Sequence, residues 1–308
     1  MNNQIDNPAW QLGQDYARFG LRRVKNAPPA FLAGYDAWRG RTKSANTYVK
    51  KWLGLRWNAL QRQRVFNPAI DPAFLRQITE EQCPVSLVTL TQGTQSDSDV
   101  SIDRIVNEGG YAPANLMALS QRVNRAKADH SFEKVLELAK REEPAHGLSG
   151  LEWVRLAGLM YGAWCQATDA SDPYLFPFAT IPPFNIFTPT SQVVQMLLLS
   201  LFKQPTSAWR ENLLRETTQE ERGSPALFDD LTQQLRQEQV HVSFLPDIWL
   251  RPGVFERFAV WYNGCPELLR ERLYILISQR SKQTQAHHEA LVDGWHLDSQ
   301  GYAANNET

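Results

Sequence analysis

The sequence predicts a mostly helical protein that contains one small strand–strand–helix module, so the fold is α+β overall. Apolar residues recur with helical spacing through most of the chain. Small and β-branched residues interrupt that spacing in CPVSLVTLT (83–91) and in the run from Val100 to Val106, and they favour extended backbone. Ten tryptophans and fourteen phenylalanines among 308 residues supply enough apolar surface for a large core.

The chain divides into four parts by composition and periodicity. They are a basic helical N-terminal region (1–78), the module with a following helix (79–143), a helical C-terminal domain (150–297) and a flexible tail (298–308).

The N-terminal region reads as helices separated by turns. We predict helices from Pro8 to about Phe19, from about Ala45 to Val65 and from Pro72 to about Ile78, with a break at Pro28-Pro29.

A strong excess of cations marks the first 66 residues, with twelve Lys and Arg against three Asp. Aromatic residues are interleaved with these cations, as in surfaces that meet phosphates. The alternative is a solvated amphipathic helix face. The nucleic-acid contacts predicted here are Arg41, Lys43, Lys50 and Lys51.

In the module, CPVSLVTLT is predicted as a first strand and Val100 to Val106 as a second, separated by the polar loop QGTQSDSD. The turn-rich NEGGYAPA then leads into a helix that opens near Asn115. A charged amphipathic helix follows from Ser131 to Glu143.

The C-terminal part is predicted to be helical around a long aromatic and proline-rich loop, Asp172 to Thr190. Its helical runs are Leu151 to Gln166, Thr190 to Lys203, Ser207 to Arg222, Ser224 to Gln239 and Pro252 to Arg280.

Several functional classes are disfavoured. The three cysteines form no CxxC pair, which argues against a thiolate zinc cage and a disulfide framework and favours a reducing cytoplasm. The most apolar run, Val193 to Phe202, is too short to span a bilayer, so we expect no membrane association. No phosphate-cradling GxxxxGK[ST] and no GxSxG elbow occurs. Metalloprotease spacing is absent from the histidine-rich group His287-His288-Glu289 and His296, whose members are interpreted as surface residues.

The segment SIDRIVNEGGYAPANLMALSQRVNRAK, from Ser101 to Lys127, resembles the core of the HNH endonuclease superfamily. The resemblance is to phage-like members that read SxDRI, then GYxPxN, then a helix with NxxK. It covers about a tenth of the chain, or a fifth if Cys83-Pro84-Val85 is the first strand. It implies a β-hairpin crossed by one helix, with a single divalent metal between the second strand and the helix.

By this resemblance, Asp103 and Asn124 are metal ligands for Mg²⁺ or Mn²⁺, and Asn115 orients the connecting loop. Strand alternation independently places Asp103 on the face opposite Ile102. Helical spacing places Asn124 beside the apolar stripe of Leu116, Leu119 and Val123, where it can meet Asp103. Asn115 alone is also explained as a helix N-cap.

Arg104 occupies the position of the family's catalytic histidine. Its guanidinium cannot accept a proton near neutral pH, but it can clamp a phosphate or stabilise developing charge. The predicted nucleic-acid contacts of the module are Arg104, Arg122, Arg125 and Lys127. His130 falls on another side of the helix, and the loop residues Asp97 and Asp99 are weak candidates for orienting water.

The leading functional hypothesis is a divalent-metal-dependent HNH-like endonuclease acting on DNA, in mobile-element or phage-defence biology by analogy with relatives. The alternative is a catalytically inactive module that binds nucleic acid or protein, which the arginine at position 104 favours. A third hypothesis gives the main function to a protein partner bound through the C-terminal helices.

Overall fold

The protein is described by a computed structural model that covers residues 7–168, 174–203, 225–267, 270 and 294–302. The described residues are mostly helical and contain one two-stranded antiparallel sheet, which confirms the predicted class. They fall into two compact units. The first comprises the described residues of Met1–Cys83, Val88–Arg125 and Leu291–Thr308, and the second those of Pro84–Leu87 and Ala126–Ala290. The basic region and the hairpin fall within one unit, whereas the predicted division places them in separate parts.

Four helices open the first unit: α1 (Pro8–Arg18), α2 (Pro29–Ala37), α3 (Thr47–Gln61) and α4 (Pro72–Gln77). Side chains of Asn7, Asn46 and Asp71 cap the free N–H groups that start α1, α3 and α4. A helix that the sequence analysis does not predict, α2, begins at the predicted break Pro28-Pro29. Proline fits there because it lacks only an N–H that the first helical turn does not use.

Two glycines set the close contact between α1 and α2. A β-carbon on Gly13 would lie 2.0 Å from the carbonyl oxygen of Phe31, and one on Gly34 would lie 2.0 Å from that of Trp10. The helices therefore touch backbone to backbone around a core that includes Leu12, Phe31 and Leu53.

The sheet pairs β1 (Val100–Arg104) with β2 (Leu116–Ser120), and α5 (Gln121–Lys127) follows at once. The prediction of a helix opening near Asn115 is therefore wrong, and so is the N-cap interpretation of that residue. All five residues of β2 are buried, so the strand shows no apolar–polar alternation. Its Leu, Met and Ala favour helices in isolation, and burial on both faces overrides that preference.

The predicted first strand, CPVSLVTLT, is a turn flanked by isolated bridges. Leu87 has a left-handed backbone with φ of 56°, and the N–H of Cys83 bonds to the carbonyl of Val88 at 2.9 Å. Single bridges join Gln82 to Thr89 and Thr91 to Asp99. Cys83-Pro84-Val85 is consequently not the first strand of the hairpin, and that role falls to β1.

The second unit contains α6 (Phe132–Lys140), α7 (Gly150–Thr168), α8 (Thr190–Lys203), α9 (Pro225–Glu238) and α10 (Val254–Gly264). These confirm most of the predicted C-terminal helices. The run Ser207 to Arg222 and most of the run to Arg280 beyond α10 lie outside the described residues, as does His287-His288-Glu289.

A core cluster of the second unit combines aliphatic residues with large aromatic ones, including Phe228, Trp249, Phe258 and Trp261. Arg155, on α7, is also buried and donates to both carboxylate oxygens of Asp247, at 2.7 and 2.8 Å.

Residues 294–302 belong to the first unit. The carbonyl of Trp295 accepts from the N–H of Gly110, and that of Gly301 accepts from Val65. Gly301 has φ of +71°, and a β-carbon there would lie 2.4 Å from the nitrogen of Gly110. Residues 298–302 are thus packed structure rather than part of a flexible tail, and residues 303–308 lie outside the described part.

All three cysteines are buried and free, as expected. Among the described helices, none combines the length and the apolar character needed to cross a membrane.

Candidate metal and nucleic-acid site

The two faces of β1 have different surroundings. Ile102 packs against the core formed by Leu55, Tyr111 and their neighbours. Ser101 and Asp103 project from the opposite face, since side chains alternate along a strand. The amide of Asn124, on α5, donates to the Ser101 hydroxyl at 2.7 Å. Asn124 and Asp103 therefore lie on the same side of the hairpin.

This pair has the right chemistry for a hard divalent cation. A carboxylate and an amide carbonyl are oxygen ligands of the kind Mg²⁺ prefers, and Mg²⁺ keeps several waters when few protein ligands are present. Asn124 donates to Ser101 through its nitrogen, which leaves its carbonyl oxygen able to act as a ligand. Within the described part of the chain, no three His, Cys, Asp or Glu side chains cluster as a richer metal site.

Asn115 organises the loop between the strands, as the resemblance implies. It is fully buried, and its carbonyl oxygen accepts from the N–H of Val106 at 2.8 Å. Its amide nitrogen donates to the carbonyls of Val106 (3.0 Å) and Gly110 (2.9 Å). Gly109 must lack a side chain here, since a β-carbon would lie 2.8 Å from that nitrogen.

Arg104 points to the same face as Ile102, away from Asp103. Its side chain is buried, donates to the carbonyls of Asn107 (2.6 Å) and Gly109 (2.8 Å), and lies 5.0 Å from the ring centre of Tyr111. Burial lowers the pKa of Arg104 from its usual range, but a guanidinium stays protonated at neutral pH. In this conformation Arg104 holds the loop and supplies no proton acceptor.

The cations of α5 have different surroundings. Arg125 is exposed and forms an ion pair with Asp97, and Arg122 is half-buried. Lys127 is fully buried, which corrects the expectation that its ammonium meets a phosphate at the surface. The ring of His130 packs against His146 and Trp153 in the second unit.

Asp99 is a structural residue of the polar loop before β1. Its carboxylate accepts from the hydroxyls of Thr91 (2.7 Å) and Thr94 (2.8 Å) and from the N–H of Gln95 (2.7 Å). The Thr91 hydroxyl, with the donors of Thr94 and Gln95, holds the pKa of Asp99 far below its ordinary value. These bonds favour a loop-stabilising role over the orientation of water.

This arrangement predicts a pH-dependent stability effect. A lowered pKa means that Asp99 stabilises the fold above the ordinary carboxyl pKa, and that this contribution fades as the pH falls below about 4. Asp99→Asn is expected to lower the melting temperature at pH 7. The difference in melting temperature from wild type should stay the same from pH 7 to about 4 and narrow at lower pH. A difference that stays constant below about pH 4 would contradict the carboxylate's role.

The predicted N-terminal contacts also separate into two groups. Arg41, Lys43 and Lys50 are exposed. Lys51 instead donates to the carbonyl of Val100 at the start of β1, and burial lowers its pKa. The first three are therefore available to an external phosphate, whereas Lys51 ties α3 to the hairpin.

Some residues of the site were not singled out in the sequence. Ser101, visible in the SxDRI pattern, holds Asn124. Arg62 and Arg64 lie among the cations of the first 66 residues and belong to no motif, and no sequence signal connects Tyr302 to the loop between the strands.

Comparisons with family models, with curated proteins and with solved structures give no match for the chain.

Proposed function

We propose that the chain is a divalent-metal-dependent, HNH-like endonuclease acting on DNA. The observation that carries this proposal is the hydrogen bond from Asn124 to Ser101, which brings an amide from α5 to the strand face of Asp103. With the SxDRI, GYxPxN and NxxK motifs, this gives a carboxylate and an amide on one side of a hairpin followed by a helix.

Each residue has a distinct role in this proposal. Asp103 supplies the anionic ligand, Asn124 a neutral one, and Ser101 orients Asn124. A bound Mg²⁺ or Mn²⁺ would polarise a phosphate oxygen and make coordinated water more acidic. Asn115 fixes the loop that leads from β1 into β2, so the strands keep their register.

Position 104 affects the expected rate. Because Arg104 accepts no proton and leaves β1 on the face opposite Asp103, it gives the attacking water no general base, and general-base catalysis is worth about 10²–10⁴-fold in rate. We therefore propose slow cleavage whose rate rises with pH. Relaxation of supercoiled plasmid in Mg²⁺ or Mn²⁺, and its absence in EDTA, tests this function.

A second candidate is a nucleic-acid-binding module that does not cleave. The contacts of Arg104 with the carbonyls of Asn107 and Gly109 favour it, because they give this residue a structural role. Binding of plasmid without relaxation, under any metal or pH condition, would support this candidate over the nuclease.

The exposed N-terminal lysines give a further prediction. Each neutralised duplex phosphate releases counterions and adds about 0.9 to the slope of log affinity against log salt. Replacing Lys43 and Lys50 together by Gln should weaken DNA binding and reduce that slope by about 1.8. Lys140→Gln, an exposed lysine of the second unit, is the matched control. An unchanged slope in the double variant would remove these lysines from the binding surface.

A further inference from the structure

Three arginines and two aromatic rings lie together at the loop between the strands. Arg104 lies 5.0 Å from the ring centre of Tyr111, and Arg62 donates to the Tyr111 hydroxyl at 3.2 Å. Arg64 lies 4.1 Å from the ring centre of Tyr302 and donates to the carbonyl of Glu108 at 2.8 Å. The guanidiniums of Arg104 and Arg64 thus bind three consecutive loop carbonyls, at residues 107, 108 and 109.

The cluster concentrates positive charge. Arg62 and Arg104 both contact Tyr111, and Arg64 binds the carbonyl of Glu108 between the two carbonyls that Arg104 binds. Guanidiniums held this close together repel one another, because all carry positive charge. The carbonyls satisfy hydrogen bonds but carry no net charge, so an anion at this place would relieve the repulsion.

The cluster is also open to solvent on one side. Arg62 is exposed, Arg64 is half-buried, and Tyr302 is 43% exposed. Guanidinium groups bind phosphate oxygens through paired N–H donors, and Arg64 is oriented in advance by the ring of Tyr302. The buried Arg104 adds a positive charge next to Arg62 and Arg64, and it holds the loop through its bonds to the carbonyls of Asn107 and Gly109.

We propose that Arg62, Arg64 and Arg104 form a second phosphate-binding site, which holds a backbone phosphate of the DNA. The identity of the ligand as DNA rests on the proposed function. Because Arg104 and Asp103 leave β1 on opposite faces, this phosphate is not the one at the metal ligands but another along the same backbone. Arginine at position 104 accordingly contributes to DNA binding rather than to proton transfer.

The test measures binding without cleavage. Fluorescence anisotropy with a labelled DNA duplex in EDTA, over a salt series, compares wild type with Arg62→Gln, Arg64→Gln and Arg64→Lys. Arg62→Gln and Arg64→Gln should each weaken binding about tenfold, as expected for a charge-assisted hydrogen bond, and reduce the salt slope by about 0.9. Arg64→Lys keeps the charge and should retain the slope. Arg76→Gln, an exposed arginine on α4, is the matched control and should bind as wild type.

Thermal melts of the same variants distinguish a loss of DNA binding from a loss of protein stability. A cluster that only stabilises the loop would give Arg62→Gln a lower melting temperature with unchanged affinity and slope, and that result overturns the proposal. Wild-type protein that does not bind the duplex in EDTA also overturns it. Plasmid relaxation in Mg²⁺ is scored separately, so active enzyme with normally binding cluster variants would reject this site and leave the nuclease proposal intact.

Discussion

Asp103→Ala is expected to abolish metal-dependent cleavage of DNA, lowering the rate by about 10³-fold or more. The change removes the anionic ligand of the proposed site, and metal-based charge stabilisation is worth several kcal/mol in the transition state. Time courses of plasmid relaxation in Mg²⁺ and in Mn²⁺ measure the loss. Affinity for the duplex in EDTA should change little, because Asp103 lies on the face of β1 away from the arginines.

Asp129→Ala is the matched control, since Asp129 is exposed and follows α5. It should cleave at the wild-type rate. Ser101→Ala should fall between the two variants, because it removes the hydroxyl that holds Asn124 but keeps both proposed ligands. Cleavage by folded Asp103→Ala at the wild-type rate would exclude Asp103 from the metal site.

Asn115→Ala is expected to destabilise the first unit by about 3 kcal/mol or more. The buried amide makes three hydrogen bonds, and its loss would leave the N–H and carbonyl of Val106 and the carbonyl of Gly110 without these partners. Each buried polar group left unpaired costs about 1–3 kcal/mol. Chemical denaturation measures the change, and hydrogen exchange should show the loss first at the amides of residues 105–111.

Asn58→Ala provides the comparison for this prediction. Asn58 is exposed on α3, where alanine is a better helix former, so the variant should be at least as stable as wild type. An Asn115→Ala protein with wild-type stability and wild-type exchange in the loop would show that Asn115 does not hold it.

The helices could largely be predicted from the sequence, whereas the hairpin register could not. Apolar spacing and capping residues locate α1 and α3, and apolar spacing locates α8, because these are local signals. The same signals do not predict β2, because a strand that is buried on both faces and rich in Leu, Met and Ala has the composition of a helix. The predicted hairpin therefore pairs CPVSLVTLT with the β1 segment, whereas the observed hairpin pairs β1 with β2.

The site was predictable in part for a similar reason. Asp103, Asn115 and Asn124 occur in a continuous motif, so their order in the chain is enough to propose them as site residues. The surroundings of Arg104 depend on contacts that are distant in sequence. Arg62 and Arg64 belong to the basic region, and Tyr302 comes from the C-terminal segment, so no local pattern links them to the loop. Their positions follow only from the folded structure of the first unit.

The metal site is tested most directly by anomalous diffraction at the manganese edge, from crystals of the wild-type protein grown with Mn²⁺. We expect one peak about 2–2.5 Å from a carboxylate oxygen of Asp103 and from the amide oxygen of Asn124. That peak should be absent in isomorphous Asp103→Ala crystals. Manganese bound elsewhere, or a wild-type map with no peak between these two residues at millimolar Mn²⁺, would contradict it.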